Sequence, residues 1–378
     1  MWDNAHCLIN MKITFLTYLN INYPGGGQRV IYPLAMKLIQ KGHAIKVIST
    51  KDGEATTDVR TSLLDIGVQL SEIETIQHTT LPLEPKTLVS AFRESDVVYF
   101  EYWAGGMEIA ALACSWYTGV PVVSGHFGHL TNAKVESHLA YRVLGRLLGP
   151  RNIRIGKFLS RHHVLCKQDY RDLIKWVDPK RVAYLPLGVQ NSFFKKQEKF
   201  GTFTLFLMSR LVAEKGILLL PKIIRRIESV IPKFHIFIAG SGKLEYFVRE
   251  LALIDSRVSY LGEVSESTKR DMLAQSHVFI APSSFESFML TGIEAMSSFT
   301  PVVVFDIPGP TDYVQDGYNG FVANDEDDFA SKILELYNIW RNDEASYDTL
   351  MTNCRRTALR YDWDRHIIPA FEDLIKGD

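Results

Sequence analysis

Four cysteines in 378 residues, at positions 7, 114, 166 and 354, are too few and too scattered for a disulfide framework and form no CxxC pair. Structural zinc and an oxidising environment therefore lose their usual support, and a cytoplasmic protein is expected. No stretch approaches the ~20 apolar residues of a membrane span. The first ten residues, MWDNAHCLIN, lack the basic start and apolar core of an export signal and read as an N-terminal extension. Excess charge is missing too: 42 basic against 43 acidic side chains exclude bulk attraction to nucleic acid, and no recognised nucleic-acid module occurs. The GxxxxGK[ST] loop of P-loop ATPases is absent, and no GxGxxG follows the first strand of either half, which disfavours a dinucleotide dehydrogenase.

What is present is the grammar of an α/β protein. The length suits two domains of about 150 residues or more, each able to bury a core. From Met11 the order is strand (KITFLTYL), Gly-rich turn (NYPGGG), helix (QRVIYPLAMKLIQKG), strand (AIKVIST). Val30, Ile31, Leu34, Ala35, Leu38 and Ile39 recur with helical spacing, and Gly42 stands where that helix must stop. The apolar runs DVVYFEY, VPVVSGH and HHVLCK continue the alternation, as a parallel sheet covered on both faces requires. After YLPLGVQNSFFKKQEKFG the pattern restarts with TFTLFLMS and runs through FHIFIAG, RVSYLG, HVFIAPSS and PVVVFD. The expectation is two doubly wound domains, 11–195 and 196–360, and a C-terminal helix within 361–378 that packs back on the first. That helix carries a stripe of Trp363, Ile367, Ile368, Phe371 and Leu374.

Open parallel sheets bind ligands beyond the carboxyl ends of their strands, and the chemistry-bearing residues fall there. In SRLVAEKG, Arg210 and Lys215 are two cations on one loop, suited to a diphosphate and equally at home solvated at a helix start. In IAGSGK, Gly240 and Gly242 either let backbone approach an anion or simply make a tight turn. In FESFMLTGIEAM, Glu286 precedes a helix expected to start near Phe288, so Phe288, Met289 and Leu290 present first-turn N–H groups. Glu294 lies inside that helix among apolar neighbours, placed for an exposed face or for a vicinal diol.

Taken together, SRLVAEKG, AGSG, APSSFESFMLTGIEAM and TPVVVFDIPGPTDYVQDGYNGFVAND resemble the donor-binding half of glycosyltransferase family 4. The segments YPGGGQRVIYPLAMKLIQKGHAIKVIS, PVVSGH and LPLGVQNSFF resemble its first domain. The resemblance implies a GT-B fold, two Rossmann-like domains facing a central cleft, and a retaining transfer from a UDP- or GDP-sugar to a saccharide or lipid-linked acceptor hydroxyl. Polysaccharide or glycolipid synthesis is the implied setting. It implies that Arg210 and Lys215 neutralise the diphosphate, Glu286 meets the transferred sugar, Glu294 holds the ribose and His126 reaches the sugar from the first domain. Gly26 and Gly27, with Gly25, would form the loop that closes on the ligands. His129 competes with His126 for that role, and Tyr99, Glu101 and Trp103 stand where an acceptor could touch or where strand-end aromatics pack. No cofactor and no metal are expected, since the candidate segments hold no Asp-x-Asp pair. An epimerase or a non-catalytic nucleotide-sugar binder would share the scaffold. The chain departs from the family at Ser209, Met289 and Phe299, where glycine is usual.

The neutral total hides one basic block. Between Lys134 and Arg181 lie twelve Lys or Arg against four acids, mixed with Leu, Ile and Phe. That composition suits an anionic membrane surface and equally a solvated helix face.

Overall fold

Val97–Glu101 and Val122–His126 bury every one of their residues, which a strand does only when both faces of its sheet are covered. The computed structural model, which describes residues 10–22, 26–51, 58–76, 80–102, 106–127 and 155–377, places these two runs at the centre of a seven-stranded sheet. Its strands are β1 (Lys12–Leu16), β2 (Ala44–Thr50), β3 (Gln69–Ile73), β4 (Val97–Glu101), β5 (Val122–His126), β6 (Arg161–Val164) and β7 (Val182–Tyr184). They lie in the order β3-β2-β1-β4-β5-β6-β7, all parallel. A second sheet holds β8 (Phe203–Met208), β9 (Phe234–Ala239), β10 (Val258–Gly262), β11 (Val278–Ala281), β12 (Val302–Phe305) and β13 (Gly320–Ala323), in the order β10-β9-β8-β11-β12-β13 and again all parallel. In both sheets the order runs outward from the first strand, then restarts on its other side, the doubly wound pattern.

The expected helix after β1 is Gly26–Gln40, with Val30, Ile31, Leu34, Ala35 and Leu38 buried. Gly42 takes φ +92° and lets the amide of His43 turn back to the carbonyl of Leu38, closing the helix as its position implied. Strands β3, β7 and β13 were not apparent from sequence. QLSEI is a half-exposed outer strand, VAY has three residues, and GFVA is hidden in a glycine-rich turn.

Two compact units divide the chain at different residues from those expected. One runs to Pro186 and resumes at Ile367; the other is Leu187–His366. The segment after 186 belongs to the second unit because Val189 donates its amide to the Tyr361 carbonyl, Asn191 bonds the Ala358 carbonyl, and Gly188 backs onto the Trp363 indole. The C-terminal helix begins only at Ile368, after a wide turn at Trp363–Ile367, and it lies in the first unit. There Glu372 accepts from Lys41 at 2.7 Å and pairs with His43 at 3.0 Å, while Phe371 packs on Tyr99.

Of the basic block, 134–154 lie outside the described residues. In the remainder, Arg161 donates to the carbonyls of Leu374 and Lys376 at the end of that C-terminal helix, and Arg181 donates to those of Lys157, Leu159 and Ser160. These cations serve helix-end and loop carbonyls of their own unit. Among the described residues no helix is long and apolar enough to cross a membrane.

Three histidines are sealed into the first sheet. Burial holds His162 down to about 3 and His163 down to about 4, and pushes His126 well below its ordinary value, with the neighbouring imidazoles adding to the effect. A base depressed on folding stabilises fully above its unfolded value, here about 6.5, and loses that stabilisation as pH falls through its folded value. Glu101, raised to about 8 by burial, acts in the opposite sense. The melting temperature should therefore fall between pH 6.5 and 4, with a shallower slope in His162→Asn than in the wild type, read by thermal denaturation across that range.

Candidate active site

Strands β8 and β11 are neighbours at the point where the order of the second sheet reverses. In doubly wound sheets ligands bind beyond the carboxyl ends of the strands at such a reversal. Backbone contact, with no side chain between, ties the loops at those ends together. Gly216, at φ +71°, lies so close to Pro282 that a Cβ would sit 1.9 Å from its carbonyl oxygen. Gly240, at φ +118°, is pressed equally close to the Ser209 carbonyl, and Leu211 donates its amide to Ser241 at 2.8 Å. The glycine at 240 is thus demanded by loop-on-loop packing.

Within this frame Lys215 Nζ lies 2.6 Å from Glu286 Oε1, and the two side chains are only 12% and 14% exposed. Ser283 donates its hydroxyl to the same carboxylate oxygen at 2.9 Å. Arg210 is on the same loop but stands in solvent, 3.2 Å from Glu214. One cation is therefore largely buried on a carboxylate, and the other is exposed and paired with an exposed one.

The helix after β11 is Leu290–Ser297, two residues later than expected. Phe288 is buried against Tyr313 and Tyr361, and Met289 is the N-cap, at φ 65° and ψ 72°, with no side-chain cap. Phe299, beyond the helix end, has φ 61°. Two of the three departures from the family pattern thus keep the left-handed backbone that glycine would supply. The Met289 side chain folds over its own helix: its methyl group is seated on Gly292, where a Cβ would be 2.2 Å from it.

Glu294 lies one turn into the helix and is neither exposed nor free. Its Oε1 is 2.8 Å from Lys269 Nζ, a side chain of the Glu266–Gln275 helix that also bonds Glu266. Burial alone would lower the Lys269 pKa, but the carboxylates of Glu294 and Glu266 hold it above its ordinary value. Sequence reading missed Lys269, Ser283 and Tyr313. Ser283 was signalled by the Pro-Ser-Ser turn; the other two meet the site only through tertiary packing.

The first unit gives a different picture. Gly26 and Gly27 open the Gly26–Gln40 helix after β1, while Gly25, Trp103 and His129 lie outside the described residues. His126, expected to reach a donor sugar, is 1% exposed. Its Nε2 is 3.2 Å from both Ser124 Oγ and His162 Nδ1, and its ring packs on Tyr102. Two neighbouring strands turn these side chains to the same face of the sheet, so the imidazole is a core group of the first unit. Tyr99 is likewise buried, 2.7 Å from His163 Nδ1, and Glu101 is buried at the end of β4. Among the described residues no group of three or more His, Cys, Asp or Glu could hold a metal ion.

Comparison with known proteins places these features in context. Residues 202–338 match the family model of glycosyl transferases group 1. The UDP-N-acetylglucosamine–peptide N-acetylglucosaminyltransferase GtfA subunit of Streptococcus pneumoniae is 28% identical over 167 residues, 42% of this chain and 33% of that one. A human phosphatidylinositol N-acetylglucosaminyltransferase subunit is 26% identical over 306 residues, 76% of this chain and 60% of that one. The chain thus spans between 33% and 60% of the length of these curated relatives. Among solved structures, Anabaena HepE in complex with UDP and glucose superposes with a TM-score of 0.75 at 17% identity, covering 98% of this chain and 100% of that one. The fold expected from sequence, two parallel-sheet α/β domains of the GT-B class, is the fold found.

The close approach at Gly240 has a measurable cost if violated. Gly240→Ala forces a side chain into a positive φ and against a carbonyl, and should destabilise the second unit by about 3 kcal/mol or more. Gly201→Ala, with open space around its α-carbon, should stay within about 0.5 kcal/mol. Urea denaturation of both variants checks this.

Proposed function

We propose that the protein is a retaining glycosyltransferase that moves a sugar from a nucleoside-diphosphate sugar to an acceptor hydroxyl. The observation that carries this reading is the Lys215–Glu286 pair, held at the carboxyl ends of β8 and β11 where the strand order reverses, with the start of the Leu290–Ser297 helix beside it. Lys215 and Arg210, with the N–H groups of that helix start, neutralise the diphosphate and stabilise it as it leaves. Glu286 accepts hydroxyl hydrogen bonds from the sugar, and Glu294, steadied by Lys269, accepts them from the ribose. The bond from the anomeric carbon to the diphosphate oxygen breaks, and a bond to the acceptor oxygen forms on the same face. The acceptor's proton passes to the departing diphosphate. No side chain in the matched motifs is placed as a covalent nucleophile, which favours front-face attack. His126 has no role in this scheme. The cationic work falls to protein groups, so a divalent metal is not required.

The acceptor class is a saccharide or a lipid-linked hydroxyl, and the setting polysaccharide or glycolipid synthesis on the cytoplasmic side. The family match over 202–338 and the relatives named above support nucleotide-sugar use; UDP is the first base to try because HepE was solved with it.

A panel of UDP- and GDP-sugars, read by thermal shift and by acceptor-dependent release of nucleoside diphosphate, tests the proposal. At least one donor should stabilise the protein. Lys215→Ala should lower kcat by about 100- to 1000-fold, as loss of a group aimed at the leaving charge does. Glu294→Ala should weaken donor binding, and a chelator should leave the rate unchanged. If no nucleotide sugar stabilises the wild type at millimolar concentration, the reading is wrong.

A further inference from the structure

Met289, at φ 65° and ψ 72°, occupies a backbone conformation that costs a non-glycine residue about 1–2 kcal/mol, at the entry to the Leu290–Ser297 helix. Such strain persists only where the surroundings over-determine it. Here three contacts do so. The hydroxyl of Tyr313, a residue 2% exposed, donates to the Met289 carbonyl at 2.8 Å. The Met289 methyl is seated on Gly292, against which the Tyr313 hydroxyl also lies, so any larger residue at 292 would displace both. Gly309, at φ +93°, presses its α-carbon against the backbone of Glu286, Ser287 and Phe288, bracing the turn from behind.

The Tyr313 ring is itself clamped. It packs on Phe288 at 5.5 Å and on Tyr361 at 5.9 Å, and Asn319 donates to its carbonyl at 2.9 Å while bonding Thr357. The segment PTDYVQDGYNG, which follows β12, is thereby locked to the loop that follows β11. Burial, with the nearby Glu286 carboxylate, keeps the phenol protonated and able to donate.

We propose that Tyr313 is a positioning residue for anion recognition: its hydroxyl latches the Met289 carbonyl and holds the turn in the one conformation that aims the helix-start N–H groups at the donor's diphosphate. The proposal rests on the donor reading given above. A glycine at 289 would adopt this backbone unaided; methionine requires the latch. The chain has thus exchanged a permissive residue for a strained one and a hydrogen bond that holds it. Losing the latch lowers the fraction of molecules with a competent turn, and apparent affinity falls by that fraction.

The test is calorimetric titration of UDP and of GDP into wild type, Tyr313→Phe, the double variant Tyr313→Phe with Met289→Gly, and Tyr361→Phe. Tyr313→Phe keeps the ring and removes only the hydroxyl, and should weaken binding of the preferred nucleotide on the order of tenfold. The double variant should return to within about twofold of wild type, because glycine needs no latch. Tyr361→Phe, which deletes a hydroxyl of the same aromatic cluster that does not bond Met289, should match wild type. The proposal is overturned if Tyr313→Phe binds as tightly as wild type, if added glycine fails to restore affinity, or if Tyr361→Phe loses as much. If wild type itself binds neither nucleotide, the donor reading falls and this inference with it; tight wild-type binding with an unaffected Tyr313→Phe removes this inference alone.

Discussion

Backbone meeting backbone is the constraint on which the carboxyl end of the second sheet depends. The Gly216 α-carbon against the Pro282 carbonyl, Gly240 against Ser209, and Gly309 against the 286–288 backbone bring four loops, those after β8, β9, β11 and β12, into a single layer. Each approach is closer than any side chain permits, and each glycine also takes a positive φ. Lys215 and Glu286 meet because of this layer: one comes from the loop after β8, the other from the loop after β11, and a shift of either loop by an ångström would part them. Electrostatics therefore follows from packing at this site.

Two largely buried ion pairs then flank and enter the Leu290–Ser297 helix. Lys215–Glu286 stands before it and Lys269–Glu294 inside it, each with a nitrogen–oxygen distance below 3 Å. Pairs of this kind add little net stability, because desolvation offsets most of the attraction. What they do supply is orientation. Glu286 has one oxygen engaged by both Lys215 and Ser283, so its second oxygen has a defined direction. A carboxylate that must accept from a particular hydroxyl benefits more from such direction than from charge.

Much of this was legible in sequence for physical reasons. Apolar runs of four to seven residues that alternate with helical segments and end in glycine or a turn read as buried parallel strands, and ten of the thirteen strands described in the two parallel sheets announce themselves that way. Strand β3, with Gln69, Ser71 and Glu72, does not, because an outer strand needs only one apolar face. The candidate residues Arg210, Lys215 and Glu286 were legible because they lie on the loops that follow β8 and β11. Tyr313 and Lys269 were not, since their relation to Met289 and Glu294 arises from contacts between distant segments. The surroundings of His126 were not legible either: it stands at a strand end, and Ser124, His162 and Tyr102, brought together by neighbouring strands, pack around it. The segment after Pro186 reads as a linker, yet Val189 and Asn191 bond the residues around 360 and carry it into the second unit.

The left-handed residues at the two ends of the Leu290–Ser297 helix act together. Met289 precedes its first residue, and Phe299, whose neighbour Thr300 donates back to Ala295 in a Schellman closure, follows its C-cap Ser298. A helix bounded by such residues cannot lengthen, shorten or slip by one position at either end. It is a gauge block: eight residues of fixed length that hold Glu294 at a constant rise and rotation from Glu286. An insertion or deletion between Leu290 and Glu294 would put that carboxylate about 100° around the helix axis, away from Lys269.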